Sequence, residues 1–148
     1  MKAGDVMTMR VATVRADATL AQAAQMLIEH GISGLPVVDQ DGRLIGIVTE
    51  HDFLRQHDGM RRRWLDALLA EPGGQITTRE LYDRRVVNVM SRGPVSVRVD
   101  TPIEEIVDLM HRHRVKRLPV VTEGKVVGIV SRANLLEALL DRSRGPRI

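Results

Sequence analysis

At 148 residues the chain is long enough for one ordinary domain or for two small units sharing a core. Its 43% hydrophobic and 28% charged content is that of a globular chain and excludes a disordered one, and no apolar run reaches the roughly 18 residues of a membrane-crossing helix. The absence of cysteine excludes disulfides, zinc–thiolate centres and thiol nucleophiles, while 22 basic residues, all but Lys2, Lys116 and Lys125 being arginine, suit anionic partners at a net charge of +3.

The N-terminal MKAGDVMT lacks the apolar stretch of a secretory signal, so a cytoplasmic location and no membrane partner are expected. A short extended piece, Val11 to Val14, comes next. Asp17 and Thr19 can cap a helix, and Leu20, Ala23, Ala24, Leu27 and Ile28 then recur at helical spacing. LPVVD and RLIGIV flank Gln40-Asp41-Gly42, a hairpin signal. A second helix is expected to open at Thr49.

Residues 57–85 read as an insert. Trp64, Leu65, Leu68 and Leu69 predict a short amphipathic helix ended by Pro72-Gly73-Gly74, and Thr77 with Glu80 could cap another turn. Arg61-Arg62-Arg63 beside Trp64 invites a nucleic-acid reading. One Trp, one Tyr and one Phe in the whole chain give no stacking platform, so that reading ranks last.

The rest repeats the beginning. DVMT at 5–8 returns as NVMS at 88–91, TVRAD at 13–17 as SVRVD at 96–100, and LPVVD at 35–39 as LPVVT at 118–122. After a one-residue gap in the turn, GRLIGIVTEHDFL matches GKVVGIVSRANLL. In the second copy Thr101-Pro102-Ile103-Glu104 predicts an N-cap, an N1 proline and a capping-box glutamate, with Ile103, Ile106, Val107 and Met110 on one face. The order β-α-β-β-α, given twice, predicts an α/β fold of two repeats packed as a pseudo-twofold pair: repeat 1 over 1–56, the insert over 57–85, repeat 2 over 86–141 and a tail over 142–148.

These motifs resemble the tandem CBS module, named after cystathionine beta-synthase, in the form of a stand-alone bacterial CBS-pair protein. The match covers nearly the whole chain apart from the insert, and the insert itself is similar to the linker of such proteins. The resemblance implies a regulatory dimer, not an enzyme, that binds adenine nucleotides or adenosyl ligands such as AMP, ADP or ATP in clefts between the repeats. It also implies residue roles. In such modules the hydroxyl of the GIVT/S turn lies near the phosphate, the aspartate three residues on takes the ribose hydroxyls, and basic residues before the LPVV proline of the partner repeat complete the phosphate site. Carried onto this chain, the ligand residues are Thr13, Ser33, Pro36, Ile47, Thr49 and Asp52, with Lys116, Arg117 and Arg132. A weaker second set is Ser96, Pro119, Ser131 and Asn134.

Chemistry supports the roles. A carboxylate can accept two hydrogen bonds from a ribose diol, and a helix start offers N–H groups to phosphate oxygens. Yet Thr-x-x-Asp is also a local capping pattern in which Asp52 reaches back to the Thr49 backbone. Copy two loses the carboxylate, since Asn134 stands where Asp52 does, and Ser33 and Gly34 stand where Lys116 and Arg117 do. Both departures predict one good site per chain. His111 and His113, two apart on a helix, point to different faces and make no metal site. Leu135, Leu136, Leu139 and Leu140 exceed the needs of one small core and are assigned in part to a homodimer contact. The functional expectation is an adenine-nucleotide sensor, with no enzyme cofactor, that signals to an effector protein. The alternative is a dimerisation or interaction module with degenerate sites.

Overall fold

The structure, a computed structural model, describes residues 1–55 and 82–143. In chain order its elements are α1 (Ala3–Val6), β1 (Val14–Arg15), α2 (Leu20–His30), β2 (Gly34–Val38), β3 (Leu44–Thr49) and α3 (Glu50–Arg55). A 3-10 turn (Val86–Asn88) follows, then β4 (Ser91–Arg92), β5 (Val97–Arg98), α4 (Ile103–His113), β6 (Arg117–Thr122), β7 (Lys125–Ser131) and α5 (Arg132–Ser143). The β-α-β-β-α order occurs twice, as the repeat predicts. The predicted helix at Trp64 to Leu69, the Thr77 cap and the Arg61–Arg63 run lie outside the described residues, as does the tail beyond Ser143.

The chain forms two compact units, Ala12–Pro94 and Met1–Val11 with Val95–Ile148. In the first, Thr19 caps α2: its hydroxyl accepts the Gln22 N–H at 3.1 Å, and the Gln22 amide oxygen accepts the Thr19 N–H at 2.9 Å. The capping box satisfies two donors that a helix start otherwise leaves unpaired. Leu20, Ala23 and Leu27 are buried, but Ile28 is 80% exposed, so the apolar face is narrower than its spacing predicts. β2 runs between β1, parallel, and β3, antiparallel, and its Leu35–Val38 segment is buried throughout. That placement accounts for an unbroken apolar run where a half-exposed strand would alternate. Asp39 closes the β2–β3 turn, its Oδ1 accepting the N–H groups of Asp41 at 2.9 Å and Arg43 at 3.0 Å.

β4 completes a four-stranded sheet by pairing with β3 at Gly46 and Ile47. Glycine is required there, because a Cβ on Gly46 would lie 2.6 Å from the Met90 Sδ and 2.9 Å from the Ser91 carbonyl oxygen. Met90 joins a core of Val14, Leu20, Leu27, Leu35, Val37, Val48, Phe53, Val86 and Val89.

The second unit repeats this plan with residues far apart in the chain. β5, β6 and β7 form its sheet, and Thr8 takes the place that Ser91 holds in the first, bonding Ile129 in both directions at 2.9 and 3.0 Å. Met7 lies over Gly128 as Met90 lies over Gly46. Sequence repeat and packed unit are therefore offset: residues 1–11 pack with the later strands, and 86–92 with the earlier ones. Glu123 and Gly124, with φ of 53° and 81°, form the two-residue turn of the β6–β7 hairpin, the mirror-type turn that matches strand twist.

Two expectations fail in this unit. Thr101 does not cap α4: the N-cap is Pro102, without a side-chain bond, and the Thr101 hydroxyl accepts the Arg98 N–H at 2.9 Å. Pro102 takes the cap position, and the Thr101 hydroxyl serves the preceding turn. Of the predicted face, Ile106 and Met110 are buried while Val107 is half exposed. α4 ends on Arg114 at φ 54°, where α2 ends on Gly31 at φ 60°. A Cβ makes that conformation costly, by roughly 1 kcal/mol or more. Arg114→Gly is expected to raise stability by about 1 kcal/mol and Tm by roughly 3 °C in calorimetry.

Candidate ligand-binding turns

β3 ends at Thr49 and α3 begins at Glu50, which places Thr49 and Asp52 on a strand-to-helix turn. The Thr49 N–H donates to Asp52 Oδ2 at 2.8 Å, the Thr49 hydroxyl donates to the same oxygen at 3.2 Å, and the Asp52 N–H donates to that hydroxyl at 3.3 Å. The capping pattern is thus formed. Its use of the carboxylate is partial: every bond goes to Oδ2, and Oδ1 makes none among the described residues. Asp52 is the one buried polar or charged residue among them, at 8% exposure, and no buried side-chain polar atom there is both sealed and unbonded. Oδ1 is therefore not sealed from solvent, on a turn whose geometry Oδ2 fixes. A carboxylate held by one oxygen with the other available can accept hydroxyl donors without rearranging.

Neighbouring residues follow the β2–β3 register. Gly34 pairs with Thr49 and Pro36 with Ile47, and the Ser33 carbonyl accepts the Glu50 N–H at 2.9 Å. Ser33, Pro36 and Ile47 are thus brought to the turn or its supporting strands. Thr13 precedes β1 and lines a shallow groove with Arg15, Gln22 and Met26, which includes neither Thr49 nor Asp52.

The second turn keeps the frame with different atoms. Asn134 Oδ1 accepts the Ser131 N–H at 2.9 Å and the Ser131 hydroxyl at 3.0 Å, and the Asn134 N–H donates to that hydroxyl at 3.2 Å. An amide oxygen does for this cap what Asp52 Oδ2 does for the other. Where Asp52 has its second oxygen, Asn134 has an Nδ2 group, and it donates to the Thr8 hydroxyl at 3.5 Å, a long bond. The substitution thus preserves the fold while exchanging an acceptor for a donor. Pro119 pairs with Ile129, Ser96 precedes β5, and Arg117 pairs with Ser131; the Lys116 carbonyl accepts the Arg132 N–H at 3.0 Å. Lys116, Arg117 and Arg132 consequently stand at the Ser131 turn of their own unit. Thr8 escaped the sequence reading; the available signal was the hydroxyl kept at Thr8 and Ser91 in the VMT and VMS segments.

The CBS domain model matches residues 3–59 and 86–141. This chain belongs to the CBS-domain family. The CBS pair is 31% identical over 153 residues to the chloroplastic CBS domain-containing protein CBSX2 of Arabidopsis thaliana, covering 95% of this chain and 64% of that one. It is also 31% identical over 137 residues to the inosine-5'-monophosphate dehydrogenase of Methanocaldococcus jannaschii, covering 92% of this chain and 23% of the enzyme. The chain therefore spans from under a quarter to under two thirds of these two relatives. Among solved structures, the CBS domain of a CBS domain-containing membrane protein from Sphaerobacter thermophilus superposes at TM-score 0.76, with 35% identity over 93% of this chain and 86% of that one. CBSX2 in complex with AMP superposes at 0.75, with 32% identity over 97% and 98%. No helix among the described residues is long and apolar enough to cross a membrane.

Proposed function

We propose that this CBS pair senses an adenine nucleotide or related adenosyl ligand, held at the Thr49–Asp52 turn, and signals the bound state to an effector protein. The observation that carries the reading is the division of labour within Asp52: one oxygen holds the turn and the other is open for a ribose hydroxyl. The AMP complex of a relative 32% identical over 97% of this chain supports the ligand class. Signalling requires only that the ligand bind one arrangement of the protein better than another. The protein is proposed to act as a cytoplasmic homodimer. Leu136, Leu139 and Leu140, all more than half exposed on α5, form the dimer face; Leu135 is excluded from it because it is buried in its own unit. Light scattering should then report two chains per particle, and a monomer would remove the dimer from the proposal.

A thermal-shift series with AMP, ADP, ATP, S-adenosylmethionine and adenosine tests the sensor reading. Stabilisation by at least one of the five is expected. No stabilisation by any of them at millimolar concentration sinks the sensor. A second reading, an interaction module with degenerate sites, is favoured at one place, the Ser131–Asn134 turn, where the amide is already bonded to Thr8.

A further inference from the structure

We propose that the corner where α4 meets β6 docks a short acidic segment of a partner protein. Between Met110 and Leu118 the sequence reads His111-Arg112-His113-Arg114-Val115-Lys116-Arg117. His111, Arg112, His113, Arg114 and Lys116 are exposed, and so is Arg132, whose N–H bonds the Lys116 carbonyl and brings another cation to the corner. Of these six side chains only Arg112 has an ion pair among the described residues. Its partner is Asp108 at 2.7 Å, and both side chains remain more than half exposed, so the pair is easily exchanged for another.

The matching corner of the other unit isolates what is special here. It reads His30-Gly31-Ile32-Ser33-Gly34, with no lysine or arginine. Both helices end on a left-handed residue, Gly31 at φ 60° and Arg114 at φ 54°, so the backbone is common and the charge is not. Attraction to the carbonyl end of α4 accounts for cations in its last turn. It does not account for an arginine where glycine is unstrained, nor for Lys116 and Arg132 beyond the helix.

Charge complementarity selects an anionic occupant, and the surroundings select its kind. Glu104, Glu105 and Asp108 are exposed on the earlier turns of α4, so a long polyanion laid along the helix would run from attraction into repulsion. Between Met110 and Leu118 the sequence has no Phe, Tyr or Trp to form a platform on which bases could stack. A short run of aspartates or glutamates engages the basic end alone, and arginine forks can grip its carboxylates through paired hydrogen bonds. Docking here does not depend on a bound nucleotide.

The test is fluorescence anisotropy of the full chain with a fluorescein-labelled deca-glutamate peptide and, separately, a labelled short DNA duplex, both at low salt. The wild type should bind the peptide more tightly than the duplex. The paired change Arg112→Ala with Arg114→Gly should weaken peptide binding by about fivefold. Its melting temperature should not fall, because glycine is the unstrained residue at 114. A control pair of the same charge loss in the other unit, Arg15→Ala with Arg43→Ala, should change peptide affinity by no more than about twofold. Equal losses from the two pairs, no peptide binding by the wild type, or tighter binding of the duplex would each overturn the proposal.

Discussion

Asp52→Asn is expected to leave the melting temperature of the unliganded protein nearly unchanged and to remove most of its stabilisation by AMP. The second turn supplies the reason for the first half, since Asn134 forms the same three capping bonds, two accepted by its amide oxygen at 2.9 and 3.0 Å and one donated by its backbone N–H at 3.2 Å. Asparagine at 52 can therefore hold the turn. It cannot offer a second acceptor oxygen, and hydrogen bonds to a charged group are roughly twice as strong as neutral ones. A loss of about 1.5 kcal/mol, near tenfold in affinity, is the expected scale. Asp52→Ala should lose the AMP response too, but with a further cost of about 1 kcal/mol from the missing cap. Thermal shift with and without AMP separates the two variants. If asparagine costs as much unliganded stability as alanine, the equivalence of the two caps is wrong.

The largest purely structural effect is expected at Gly46. A methyl group there would meet the Met90 Sδ at 2.6 Å and the Ser91 carbonyl at 2.9 Å. The methionine can swing aside, but the carbonyl belongs to the backbone of β4 and moves only if the strand does. Gly46→Ala should cost about 2 kcal/mol, within the range of overpacked cores, and loosen the pairing of Gly46 and Ile47 with β4. Gly34→Ala is the comparison, because a methyl at 34 meets nothing nearer than the Thr49 Cγ2 at 3.3 Å. Chemical denaturation should rank Gly46→Ala as clearly the less stable; equal midpoints would mean that β4 is not seated as described.

Much of this architecture was legible because the same pattern occurs twice. Val37, Val48, Val120 and Val130, buried in both hairpins, sit in apolar runs that only strands of this length explain. The failures have local causes. Ile28 and Val107 fit helical spacing but fall at the edge of a narrow buried stripe, and periodicity does not fix how wide that stripe is. The Thr101 hydroxyl had two possible donors within reach, and sequence does not say that the Arg98 N–H takes it. The exchange of segments 1–11 and 86–92 between packed units is likewise invisible to a repeat alignment, which registers similarity and not contact.

The candidate site was half legible. Hydroxyl and carboxylate at Thr49 and Asp52 were readable as either a cap or a ligand site, and the atoms show how one side chain can serve both. Asn134 was readable as a lost carboxylate; its bond to Thr8 was not, because those residues are far apart in sequence. Lys116 and Arg117 were assigned from the resemblance to the ligand held at Asp52, and the structure sets their backbone at Ser131 and Arg132.

Isothermal titration calorimetry with AMP tests the central claim most directly. One AMP per chain is predicted for the wild type, and binding weakened by about tenfold or more for Asp52→Asn under the same conditions. Two equivalent sites per chain, or unaltered affinity in Asp52→Asn, would contradict the assignment of the ligand to the open oxygen of Asp52.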